Sequence, residues 1–205
     1  MPKDYFALLG MPRRPWIDLE GLQSKFVTLS AERHPDRIHS ATVVERETAT
    51  ERFRELNAAY SCLKDTKRRL GHLVELETGR PPANLETLAA GSSDFYFAVG
   101  QACRAADHYL KQKPSSPLLR VQFYQGAMDR VEKLQGFQSA LEARRKELEG
   151  SLEGMNAAWE SAPPLDSAER KRALPLRELE QVFREMSYVT RWAEQTRQRV
   201  LELSL

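Results

Sequence analysis

The chain has 205 residues, 41% hydrophobic and 29% charged, the composition of a water-soluble globular protein with apolar mass for one good core or two small ones. Lys and Arg number 31 against 29 Asp and Glu, a net charge of +2, which excludes wholesale nucleic-acid binding because that needs many phosphate-neutralising cations on one face. Cys62 and Cys103 stand alone, which excludes a CxxC-type zinc site and a disulfide framework and leaves both as expected small core residues. The opening MPKDYFALLG lacks a signal peptide's apolar stretch and no run of about 18 apolar residues occurs, so no membrane contact is expected and a reducing cytoplasm is the expected compartment.

The first element is DYFALLG, with Asp4 as cap and Gly10 as terminator. The second begins near Asp18 and places Leu19, Leu22, Phe26 and Leu29 on one face at helical spacing, so that face is expected to be core. It ends at His34, because Pro35 has no amide hydrogen and forces its predecessor out of the α region. A matching stripe follows in Phe53, Leu56, Ala59 or Tyr60, and Leu63, which predicts an antiparallel hairpin with its tip from His34 to about Val43 exposed. RRLGHLVELETG, residues 68–79, is a fourth amphipathic helix.

Two stretches read as linkers, TGRPPAN (78–84) and SAPPLDS (161–167). Beyond the first, a helix is expected around Phe95 to Leu110. A long helix follows from Pro117, with Ala127, Leu134, Leu141, Leu148 and Met155 recurring every seven residues and Tyr124, Val131, Leu152 and Trp159 on an interleaved row. Val182, Met186, Val189, Ala193, Thr196, Val200 and Leu203 form a partner seam, so the last helix is expected antiparallel to the long one, in a three-helix bundle with one core. With no alternating apolar run, the fold class is all-α. The expected domains are residues 1–79, a linker at 80–92, and a helical bundle at 93–205. His72 and His108 read as structural and His39 as a loop bystander; the charge runs RRKE from Arg144 and ERKR from Glu169 read as solvated helix faces.

DYFALLG, the amphipathic second helix, the tripeptide His34-Pro35-Asp36 and FRELNAAYSCLKD, in this order across residues 4–65, resemble a J-domain, the module by which DnaJ-type co-chaperones stimulate the ATPase of a heat-shock chaperone. The fourth helix running through a short linker into a helical region, without a Gly/Phe-rich stretch or CxxC repeats, resembles the HscB co-chaperones of iron-sulfur cluster assembly. The resemblance implies a DnaK/HscA-type chaperone ATPase as partner, contacted by His34, Pro35 and Asp36 with Lys25, Arg33 and Arg37 against its acidic surface. It also implies an iron-sulfur scaffold protein as client, held on the second domain, where Phe95, Tyr96 and Phe97 occupy the place of the family's aromatic and aliphatic client-gripping cluster.

Arg33 stands where J-domains usually carry tyrosine, and Gly100 departs from the apolar pattern of the client cluster. A J-domain joined to a helical arm for a different protein client is the alternative reading. No Ser/His/Asp arrangement, paired cysteine or Gly-rich phosphate loop is present in the required context. No enzymatic chemistry, catalytic residue, metal or cofactor is therefore expected, nor any nucleic-acid or membrane partner.

Overall fold

The computed structural model describes residues 2–32, 42–82, 93–114 and 116–205. Among the described residues every regular element is helical: α1 (Tyr5–Leu8), α2 (Leu19–Glu32), α3 (Val43–Lys64), α4 (Thr66–Thr78), α5 (Ser93–Leu110), α6 (Pro117–Glu160), α7 (Arg170–Ala173) and α8 (Leu176–Ser204). Local chemistry sets most of the ends. The Asp4 carboxylate accepts from the amides of Phe6 and Ala7 at 3.0 and 3.2 Å, that of Asp18 from Glu20 and Gly21 at 3.1 and 2.9 Å, and that of Asp65 from Arg68 at 2.7 Å. Each satisfies amides that a helix start leaves without partners. Thr42 and Glu45 close a reciprocal capping box at the head of α3. At the other end of α4, Gly79 takes the left-handed conformation at φ 78° and returns its amide to the Glu75 carbonyl, a backbone shape that favours glycine.

Packing divides the chain into two units, one of Met1–Ala83 with Glu149–Phe183, the other of Asn84–Leu148 with Arg184–Leu205. The core of the first unit gathers Phe6, Leu9, Ile17 and Leu22 with Leu56, Ala59 and Leu63 of α3 and Leu70, Leu73 and Val74 of α4. Phe26 of α2 stacks on Tyr60 of α3 at 4.1 Å between ring centres. Leu19 departs from the expected core face: it is 48% exposed, because it opens the helix at the edge of the hairpin while Leu22 takes the buried position one turn on.

The same core takes in Leu152 and Trp159 of α6, Leu174, and Leu179 of α8. Leu152 and Trp159, expected in the seam of a C-terminal bundle, therefore belong to the first unit. Polar links help hold this segment there. Asn156 exchanges two hydrogen bonds of 3.0 Å with the backbone of Trp16, Thr66 donates to Glu149 at 3.1 Å, and Arg170 pairs in two-pronged fashion with Glu77 at 2.8 Å. Arg170, expected on a solvated face, is in fact buried, with side-chain exposures of 8% for the arginine and 3% for its partner. Its third nitrogen donates to the carbonyl of Pro163 at 2.8 Å, so the SAPPLDS stretch supplies an acceptor to this pair.

Two further polar groups lie under the surface of the first unit. Arg69 donates to the carbonyls of Pro15 (3.0 Å) and Leu63 (2.7 Å) and to the Thr66 hydroxyl (3.3 Å); burial lowers it to about 10, which leaves it charged at neutral pH. His72 accepts from the Tyr5 amide through Nε2 at 3.2 Å and lies parallel to Phe6, so its role is structural. Cys103 is buried, whereas Cys62 is only partly so.

The second unit packs α5 with the first part of α6 and the last part of α8. Phe95 meets Phe137 and Tyr109 stacks on Phe123, so α5 and α6 run antiparallel. Tyr96 meets Tyr188, and Arg199 donates to the Cys103 carbonyl and Asp107, so α5 and α8 run parallel. Because α5 runs against α6 and along α8, α8 is antiparallel to α6 as expected; Arg144 pairs with Glu185 at 2.6 Å, which removes Arg144 from the purely solvated set. Ala127, Val131, Leu134, Leu141 and Leu148 are buried, as are Met186, Val189, Thr196 and Leu203. Tyr124 is not in the seam: it is 43% exposed and Phe123 takes the inward position, because a helix of 3.6 residues per turn drifts from a strict seven-residue row.

Candidate interaction surfaces

The hairpin of α2 and α3 is held at its base by the Phe26–Tyr60 stack and by Leu22 against the core. Arg33, His34, Pro35, Asp36 and Arg37, together with His39, lie outside the described residues. Of the residues expected to face a chaperone, Lys25 alone is described. It is exposed on α2 and its ammonium donates to the Gly10 carbonyl at the end of α1, which ties this cation to the turn after the first helix.

The three aromatics at the head of α5 separate as a helix requires, since successive side chains lie about 100° apart. Tyr96 points inward at 4% exposure, between Phe95 and Tyr188. Its hydroxyl has no hydrogen-bond partner, and burial raises its pKa to about 12. Phe95 is half-buried against Phe137. Phe97 is 62% exposed, with the Arg104 guanidinium 6.0 Å from its ring centre. Of the three rings, Phe97 is thus the exposed one, Phe95 is half-buried and Tyr96 is core. Gly100 is explained by Trp192, whose ring comes within 3.0 Å of where a Cβ would stand.

A second apolar surface in this unit went unread in the sequence. Val121, Tyr124 and Met128 are 60%, 43% and 63% exposed at helical spacing on α6. The signal was present in the three-and-four spacing, but the seven-residue row through Tyr124 assigned that residue to the seam. Among the described residues no group of three or more His, Cys, Asp and Glu side chains has the arrangement to hold a metal ion, and no helix is long and apolar enough to cross a membrane.

Comparison with known proteins agrees with this geometry. The DnaJ-domain family model matches residues 4–71. The HscB homologue of Bordetella avium is 36% identical over 72 residues, 35% of this chain and 43% of that protein. That of Vibrio cholerae is 34% identical over 85 residues, 42% and 50%, and the chaperone protein DnaJ of Caulobacter vibrioides is 41% identical over 70 residues, 34% and 16%. The matched stretch spans half or less of each of these relatives. In three dimensions the likeness extends further: the structure of Vibrio cholerae HscB superposes with a TM-score of 0.63 at 18% identity, covering 96% of both chains. Human HscB gives 0.62 at 18% identity, covering 96% of this chain and 81% of that one. Residues 4–71 thus match the DnaJ domain, and nearly the whole chain shares the fold of the HscB structures.

Proposed function

We propose that this protein is a cytoplasmic co-chaperone that stimulates the ATPase of a heat-shock chaperone of the DnaK/HscA type and brings a client to it, the client being an iron-sulfur scaffold protein. The observation that carries the reading is the His34-Pro35-Asp36 tripeptide inside a J-domain match, in a chain with the HscB fold. In this reading residues 1–79 act on the chaperone, 80–92 link, and 93–205 hold the client. Because Glu149–Phe183 packs with the N-terminal unit, this reading puts the client surface on the remainder of that domain, residues 93–148 and 184–205. The protein carries out no covalent chemistry; Asp36, with His34 and Pro35, engages the chaperone, and Lys25, Arg33 and Arg37 add attraction to an acidic surface, which steers association.

A second reading, a J-domain co-chaperone for a different protein client, is supported by a sequence likeness that spans only 35% and 42% of the chain in the HscB relatives and by the exposed Val121, Tyr124 and Met128. The test has two arms on the full chain. Single-turnover ATP hydrolysis by the cognate chaperone should accelerate with the parent protein and not with His34→Gln or Asp36→Asn; stimulation by both folded variants would sink the co-chaperone reading. Capture with the full chain as bait should recover an iron-sulfur scaffold protein; recovery of another client through the same unit would favour the second reading.

A further inference from the structure

The first unit carries an open groove of about 460 Å3, formed by the start of the chain, the end of α3, one face of α4 and Phe183 at the start of α8. The amphipathy of α4 makes it. Leu70, Leu73, Val74 and Glu77 turn into the unit, while Lys67, Arg68, Gly71 and Glu75 recur at three-and-four spacing along the groove. Phe183 forms one wall, and Gly71 lets it do so: a Cβ there would stand 3.1 Å from the ring. Tyr5 and Pro82 supply further apolar surface.

The charge in this groove is incompletely balanced. Lys3 is engaged with Glu55. Lys67 is half-buried and Arg68 exposed, and among the described residues neither side chain has an acidic partner. The Cys62 thiol, pushed up by burial, adds no negative charge, and Glu75 is the acidic residue among those that line the groove. A cation with no carboxylate beside it gains from an incoming anion an attraction that a paired cation already draws from its partner. An enclosed pocket suits a small molecule, most of whose surface must be covered; an open groove with cations along one helix face and aromatic walls suits an extended chain.

We infer that this groove docks an acidic peptide segment of a partner protein, its carboxylates on Lys67 and Arg68 and its apolar side chains against Tyr5 and Phe183. The inference does not rest on the co-chaperone reading, because the groove shares no residue with the α2–α3 tip or with Phe97. The probe is a fluorescein-labelled peptide alternating glutamate and phenylalanine, titrated by anisotropy into the full chain, with its glutamine counterpart as control. Binding should weaken by about tenfold or more in the Lys67→Glu/Arg68→Glu double variant, since like charges then face each other, and should weaken with salt. Lys111→Glu/Lys113→Glu, which changes net charge equally at exposed positions just after α5, should leave binding intact. Equal binding of the glutamine peptide, unchanged affinity in the Lys67/Arg68 variant, or equal losses in both double variants would overturn the proposal. A thermal melt equal to the parent's checks that the fold is kept.

Discussion

Arg170→Met isolates the most consequential polar contact of the first unit. The guanidinium makes two bonds of 2.8 Å to Glu77 and one of 2.8 Å to Pro163, with 8% and 3% of the paired side chains exposed. Methionine keeps most of the aliphatic volume and removes the charge, so the Glu77 carboxylate is left buried without a cation. Breaking a buried pair from one side typically costs about 3–5 kcal/mol, while replacing both partners by apolar residues is often neutral or better. Against a total stability of about 5–15 kcal/mol, the single change should remove about a fifth or more. At about 2–4 °C per kcal/mol for a chain of this size, the melting transition should drop by roughly 6–20 °C. The Glu77→Met/Arg170→Met double variant should recover most of that loss. Urea unfolding followed by circular dichroism, with hydrogen exchange of α4 and α7 to assign the loss to the first unit, gives both numbers. A single variant within about 0.5 kcal/mol of the parent, the range of ordinary surface changes, would refute the reasoning, as would a double variant that loses the sum of the two single changes.

Other expectations follow from the same geometry. Burial depresses the pKa of His72 below its ordinary 6.5, so the unfolded chain takes up that proton first as pH falls, and stability should begin to decline below about pH 6.5 and continue until the folded pKa is passed; His72→Gln should flatten this dependence in melts between pH 7 and 5.5. Gly100→Ala places a Cβ 3.0 Å from the Trp192 ring and should cost about 1–3 kcal/mol by overpacking, read from the second unit's denaturant midpoint. Phe97→Ala should weaken client binding by calorimetry by about thirtyfold, with an unchanged melt, whereas Tyr96→Ala should lower stability by about 3–5 kcal/mol as a core truncation. ATPase stimulation at subsaturating protein should decline as salt screens Lys25 and its neighbours; salt-independent stimulation would speak for an apolar interface instead.

Where legibility was good, the determinants are local. Asp4 and Asp18, read as caps, do cap helices within three residues of themselves; Asp65 and Gly79, not read as such, bound α4 by equally local means. The apolar rows of α2, α3 and α4 name the faces that pack because helical period converts sequence spacing into direction. The tripeptide at 34–36 and its flanks were likewise readable, though its placement lies outside the described residues. For the aromatics at 95–97, helical geometry required that they diverge, but only packing against Tyr188 and Phe137 selected Tyr96 for the core and left Phe97 outside.

What the tertiary structure decided is which partner each face meets. Leu148 and Leu152 stand on one continuous apolar stripe of α6, yet the first belongs to the second unit and the next to the core of the first. A periodic row specifies that a face is apolar and says nothing of what covers it, so one helix can serve two cores without a change in pattern. Arg170 and Glu77 are 93 residues apart, and each alone looks like one more charge on a solvated helix. Their burial exists only because the chain folds both carriers into the same unit, where two charges compensate what neither could sustain alone.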